Sequence, residues 1–360
     1  EVPYRFRPIL YQSKLISNNN KILTLYKLSG TNKIIGERPI PEAEYLNIGF
    51  FIQNEMEIIK DNLSVTFGGR IDQINVTNKE ATQPEFEITN GVRNDNTEGQ
   101  IILWKAGKEK DFSWSGNFNL LYSINDKIDF TLNAARSFRS PSLEERYQYI
   151  DLGNLVRIGY PGLSPENGYF LDLGLRIWES SLNFTGNIFI NFIKNYIVEK
   201  PGFYEGRPAQ FKTNIGEAML TGLDAGFSFN ISEKNNLYLT ASYVRGKDIK
   251  EKLNLPQIPP FNGRIGFKTS LFKPVTADIS ADFFDRQNFT APGELKTPGY
   301  FLFNFLISTI SFSTGIFNYK FSGGIENIFN KLYRYHLATN RGFISYEPGR
   351  NFYLKLSLNW

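Results

Sequence analysis

The sequence predicts an all-β chain folded as an antiparallel transmembrane β-barrel, and three observations predict it. Apolar and polar residues alternate with a period of two in one segment after another. The connections between those segments are short and long by turns. Although 32 Phe and 19 Tyr stand among the 360 residues, no apolar stretch approaches the roughly 20 needed for a membrane-spanning helix.

In chain order, segments 4–16 and 21–28 offer two candidate strands around the turn Ser17-Asn18-Asn19-Asn20. From Ala43 onward about thirteen more follow. After 45–58 and 63–72, residues 112–122 set Phe112, Trp114, Gly116, Phe118, Leu120 and Tyr122 against Ser113, Ser115, Asn117 and Asn119. Segments 127–137 and 169–178 repeat the pattern. At 182–192, Leu182, Phe184, Ile188, Ile190 and Phe192 alternate with Asn183, Thr185, Asn187 and Asn191. Segments 219–231, 237–245 and 263–271 lead to Val275, Ala277, Ile279, Ala281 and Phe283, interleaved with Thr276, Asp278, Ser280 and Asp282. Segments 300–310 and 317–328 precede a last strand of Phe352, Leu354, Leu356, Leu358 and Trp360.

The connections near 59–62, 124–127, 179–181, 232–236, 271–274 and 313–316 are short and rich in turn-forming residues. Those at 73–111, 139–167, 194–218, 246–262, 285–299 and 330–349 are long. A transmembrane barrel places short turns in the periplasm and long loops outside. In lipid every backbone polar group must be paired within the protein, so a sheet spans only as a closed barrel. Each crossing takes about 9–11 tilted residues. Phe112, Trp114 and Trp178 fit the aromatic girdles of such a barrel. A soluble sandwich is the competing fold, because alternation alone also suits a half-buried sheet. Direction counted back from the last strand makes the first strand run toward the periplasm. About fifteen crossings with seven elsewhere would make 22, the size class of plugged transporters.

Composition narrows the function. The chain has no Cys and one His, which removes thiol nucleophiles and Cys-based metal sites and argues against a catalytic triad. We therefore expect no enzyme and no cofactor. The net charge of +4 is spread over 40 basic and 36 acidic residues, so no nucleic-acid partner is expected. Glu1 is not an initiator Met and residues 1–20 lack a signal-peptide layout, so we expect a processed protein or a piece of a longer one.

From about Ala43 to Trp360 the chain resembles the C-terminal barrel portion of a TonB-dependent outer-membrane receptor. The residues that carry the resemblance are Phe50 to Glu55, the hairpin Leu63 to Asp72, and Ser137-Phe138-Arg139-Ser140-Pro141-Ser142, which is similar to the family's FRxPS box. They continue through Gly162-Leu163-Ser164-Pro165-Glu166, Asn214 to Ala218 with Thr221 to Asp224, Pro298-Gly299-Tyr300, Glu326 to Tyr333 and Pro348 to Phe352. The resemblance implies a 22-stranded barrel, an N-terminal plug domain and uptake driven by the inner-membrane TonB complex. No plug is recognisable here, so residues 1–360 read as one partial barrel domain. It also implies a metal-chelate ligand, with a ferric siderophore as the expected class, and a place in the outer membrane of a Gram-negative cell. A passive porin or substrate channel of about 14–16 strands is the alternative. The terminal row Phe352, Leu354, Leu356, Leu358 and Trp360 resembles the signal read by the barrel-assembly machinery; the same row would pack against outer-membrane lipid.

Ligand contacts should come from the long loops. Loop 139–167 offers Arg139, Tyr147, Tyr149, Arg157 and Tyr160; loop 194–218 offers Tyr204, Arg207 and Phe211. Arg and Tyr suit anionic or planar chelates because they join a charge or hydroxyl to a stacking face. His336 reads as structural. Met56 and Met219 are too few and too far apart in sequence to suggest a copper site. Asp278 and Asp282 lie about 13 Å apart along a strand and read as lumen polarity. Arg70, Asp72, Arg176 and Arg264 fall on inner rows, where they would pair with each other or with a plug.

Overall fold

The computed structural model describes residues 5–6, 9–17, 22–28, 31–152, 154–339 and 345–359. Its long strands are β1 (Ile9–Ser17), β2 (Ala43–Ile59), β3 (Leu63–Asn78), β4 (Gly107–Asn125), β5 (Ile128–Arg139), β6 (Glu166–Trp178) and β7 (Leu182–Lys194). They continue as β8 (Glu217–Asn230), β9 (Asn235–Asp248), β10 (Asn262–Phe272), β11 (Val275–Phe284), β12 (Tyr300–Thr309), β13 (Phe317–Glu326) and β14 (Asn351–Asn359). All belong to one sheet in which chain order is spatial order, and every pairing is antiparallel. Two short pieces, Arg5–Phe6 and Phe312–Thr314, also join that sheet, pairing with β2 and β13.

Thirteen of the fourteen strands begin at Ala43 or later, as the sequence predicts, and β1 fills the expected segment 4–16. Segment 21–28 is different. Ile22–Leu28 pairs with Thr31–Glu37 in a separate sheet that also holds Phe86–Thr89 and Val92–Asn94. Its seven residues are too few for a crossing, and a local partner two residues away is cheaper to reach than a distant one. Residues 18–20 of the expected turn lie outside the described residues. With fourteen described long strands in alternation, β1 runs opposite to β14, whereas a count of about fifteen has the first and last strands run the same way. The long excursion predicted at 73–111 is also shorter than its loop reading: β3 and β4 keep pairing from Asn117↔Gly68 up to Gly107↔Asn78.

Alternation has a single physical meaning across the sheet. Outward residues of neighbouring strands face one another: Phe118↔Phe67, Leu173↔Ile188, Ile188↔Leu223, Phe267↔Ile279 and Phe321↔Leu356. Many stay exposed; Ile188 is 56% and Leu354 86% accessible. An apolar row left open on this scale marks a surface meant for an apolar medium. The intervening row is largely polar, with pairs such as Asn133↔Asp172, Asn187↔Asp224 and Asp224↔Ser242. It lines a cavity of about 720 Å³. Among the described residues no helix is long and apolar enough to cross a membrane.

Two of the predicted inner-row arginines, Arg70 and Arg264, hold a carboxylate. Arg70 donates from Nε and Nη2 to both carboxylate oxygens of Asp72 at 2.6 and 2.5 Å. Arg264 does the same across the strands to Asp282, whose Oδ2 also accepts from Asn304. Asp278 instead accepts from the Tyr238 hydroxyl at 2.8 Å. The two aspartates thus have separate partners and do not act as a pair.

Candidate functional site

Above the strands, the excursion after β5 builds a packed tier. Ser142 caps the helix α1 (Leu143–Tyr147): its Oγ accepts from the Glu145 N–H at 3.1 Å, and the Glu145 carboxylate accepts from the Ser142 N–H at 2.9 Å. This reciprocal capping box fixes where the chain turns into the helix. The strands Tyr149–Asp151 and Val156–Ile158 follow, and the second runs parallel to Arg207–Asn214, which pairs with Ile197–Tyr204. Two separate loops therefore share one sheet.

The tier has its own core. Tyr147, Tyr149, Val156, Ile158 and Ala209 are buried together with Ile74, Val76 and Trp104. Trp104 meets Tyr147 edge-on at 6.2 Å, and Tyr149 meets Tyr204 at 6.0 Å. Burial holds both phenols in the neutral form, raising Tyr147 and pushing Tyr149 up to about 12.

Of the residues predicted to meet ligand, Tyr147 and Tyr149 lie inside this core, and Tyr204 and Phe211 pack against it. Arg139 bridges Glu166 and Glu145 at 2.6 and 2.7 Å. Burial alone would raise the Glu145 carboxyl, but hydrogen bonds from Arg139 and from the Ser142 N–H leave it below its ordinary value. Arg207 donates to Asp151 at 2.6 Å at the tier's edge. Arg157 is half-buried with its Nε unpartnered, and Tyr160 is 55% exposed.

The residue that ties the tier to the sheet is one the sequence reading passed over. Arg146 is 1% exposed. It donates to the carbonyls of Pro161 and Leu163 at 2.6 and 3.0 Å and to Asp111 of β4 at 2.9 Å. Ser140, from the FRxPS-like box, donates to the same Asp111 oxygen at 2.5 Å. Glu166 of β6 accepts from the Ile197 N–H at 2.8 Å and so anchors the second loop. Gly159 hydrogen-bonds to the Gln148 carbonyl, and a Cβ there would sit 2.7 Å from the Arg146 backbone. The spacing Ser142-x-x-Glu145 was the available signal for this corner.

A second tier joins the excursions after β9, β11 and β13. His336 is buried, with Nδ1 3.2 Å from Thr297 Oγ1 and Nε2 3.3 Å from Glu294 Oε1, the latter close but poorly aligned for a hydrogen bond. Glu294 also accepts from the N–H and the side-chain amide of Gln257. Burial lowers the His336 pKa despite the opposing pull of Glu294. A group harder to protonate when folded stabilises the fold above its unfolded pKa of about 6.5, and that contribution is lost as pH falls through the lower folded value. Acidification from pH 7.5 to pH 5 should therefore speed amide exchange in 285–299 and 327–339 several-fold after correction for intrinsic rates. His336→Gln should flatten that dependence; an unchanged profile in the variant would contradict it.

The family model described as "TonB dependent receptor-like, beta-barrel" matches residues 11–328. The chain belongs to the TonB-dependent receptor family. Its fold is shared by the copper transporter OprC at TM-score 0.73 and 17% identity, covering 98% of this chain and 57% of that one. The ferric citrate transporter FecA, unliganded, aligns at 0.63 and 14%, covering 99% and 58%. The FrpB iron transporter from Neisseria meningitidis aligns at 0.61 and 13%, covering 98% and 55%. The chain thus spans somewhat more than half the length of these structures. No curated protein matches it by sequence. This is a family of transport receptors rather than enzymes, and the motif-like segments Ser137–Ser142 and Gly162–Glu166 now have a physical role in it: they clamp the first loop tier onto β4 and β6.

Proposed function

We propose that this chain forms barrel wall and loops of a Gram-negative outer-membrane receptor that imports a metal chelate, with a ferric siderophore as the ligand class. A plug domain would couple it to the inner-membrane TonB complex, and residues 1–360 would be the partial barrel domain around that plug. The observation that carries the reading is the loop tier. Arg157, Tyr160 and Arg207 are the predicted residues that stay outside its core, two cations and a phenol on a frame held by Tyr147 and Tyr149. Such groups suit an anionic chelate with planar rings. The named cargoes of the structural neighbours, copper, ferric citrate and iron, support a metal cargo. The exposed row Phe352, Leu354, Leu356 and Leu358 supports contact with lipid and recognition by the barrel-assembly machinery; Trp360 lies outside the described residues.

Uptake of a radio-iron catecholate by cells carrying the full-length protein tests this. Uptake should vanish without TonB, and the combined Arg157→Gln, Tyr160→Ala, Arg207→Gln variant should bind at least tenfold more weakly while reaching the outer membrane normally. Transport that persists without TonB would instead indicate a passive channel.

A further inference from the structure

The outer face carries a cavity that ligand uptake does not explain. It has a volume of about 670 Å³ and opens at the upper ends of β5, β6, β7 and β8, lined by Arg136, Asn167, Tyr169, Lys194, Glu217 and Lys250. Register puts the strand residues among them on the outward row, Arg136↔Tyr169, Tyr169↔Phe192, Asn167↔Lys194 and Lys194↔Glu217, and Lys250 follows the end of β9. Directly below them on the same row are the exposed Leu171, Leu173, Ile188 and Leu223.

Three features suit this cavity to an anion. Its walls hold three cations and one carboxylate, and the one ion pair among them, Lys194 to Glu217, is loose at 3.7 Å and exposed on both sides. Arg136 is pre-oriented: its guanidinium lies 4.2 Å over the Trp114 ring and 5.9 Å from that of Tyr169, donates to Asn167 Oδ1 at 2.7 Å and also bonds the Trp114 carbonyl. Lys250 lies over Gly216, where a Cβ would come within 3.3 Å of its Cδ, so the glycine leaves room for the lysine to cross the cavity floor.

Height identifies the anion's source. Strand β7 has 13 residues and ends at Lys194. At about 3.3 Å per residue and about 45° of tilt it climbs roughly 30 Å, the thickness of a bilayer's hydrocarbon core. The cations therefore stand where outer-leaflet headgroups begin, with acyl-compatible side chains immediately beneath.

We propose that this cavity binds the phosphate of an anionic outer-leaflet glycolipid. Arg136 and the two lysines meet the phosphate oxygens, and the acyl chains lie down the row of Leu171 and Ile188. The proposal rests on the outer-membrane reading above.

The test uses the full-length protein in nanodiscs, titrated with diphosphoryl lipid A, a dephosphorylated lipid A, and inorganic phosphate, with native mass spectrometry as readout. The phosphorylated lipid should bind preferentially. Each cation removed should weaken it roughly fivefold, so Arg136→Gln, Lys194→Gln, Lys250→Gln together should cost about 100-fold. Glu217→Gln should tighten binding several-fold, a gain that misfolding cannot produce. Equal binding of the dephosphorylated lipid, unchanged affinity in the triple variant, or displacement by millimolar inorganic phosphate would each overturn the proposal. Failure of the wild type to enter a bilayer would overturn the outer-membrane reading instead.

Discussion

Replacing Arg146 by Leu should release the first loop tier while leaving the barrel assembled. Arg146 and Asp111 are 1% and 9% exposed in their side chains, and Arg146 donates to the carbonyls of Pro161 and Leu163. Breaking a buried ion pair from one side costs about 3–5 kcal/mol, because the remaining charge stays desolvated. Asp111 would keep only the hydroxyl of Ser140. The loss falls on the tier, whose opening is a local event separable from the strands. Amide exchange across 143–165 and 197–214 should accelerate by roughly 10² to 10⁴-fold, while β7 and β8 keep their protection. Chelate binding should fall with it. Arg146→Lys should recover little, since one ammonium cannot reproduce a planar fork that reaches two carbonyls and a carboxylate. Asp111→Asn combined with Arg146→Leu should be milder than Arg146→Leu alone, because no buried charge is then orphaned. Exchange rates in the tier that match the wild type would show that Arg146 is not its anchor.

The strands were legible because each is governed by two unlike surroundings on opposite faces, a condition that writes itself into a period of two. Leu182 to Phe192 could be assigned in this way without knowledge of any partner strand. Segment 22–28 shows where the rule stops. Ile22, Thr24, Tyr26 and Leu28 alternate with Leu23, Leu25 and Lys27 without clear polarity, and seven residues form a hairpin in a loop sheet instead of a crossing. The loop tiers were less legible still. Tyr147 and Tyr149 look like ligand-facing aromatics because loops have no period to say which side is inside; packing against Trp104, more than forty residues away, places them in a core. Arg146 has the same appearance as Arg157 in sequence. Only the contact with Asp111, 35 positions earlier, separates an anchor from an edge cation.

Single cysteines along β7, in a protein that has none of its own, should sort by parity alone. At positions 188 and 190 a nitroxide label on the full-length protein in a bilayer should collide frequently with oxygen, which concentrates in lipid, and rarely with a polar paramagnetic chelate. At 187 and 191 the ratio should invert, since Asn187 shares its row with Asp224 and lines the polar cavity. The two environments differ because an outward row must match acyl chains whereas an inward row must not. Spin-label accessibility across residues 186–192 is therefore the most direct measurement of the whole account: a strict alternation with a period of two is predicted, and a profile that is uniform, or that has residues 188 and 190 as the wet positions, would contradict it.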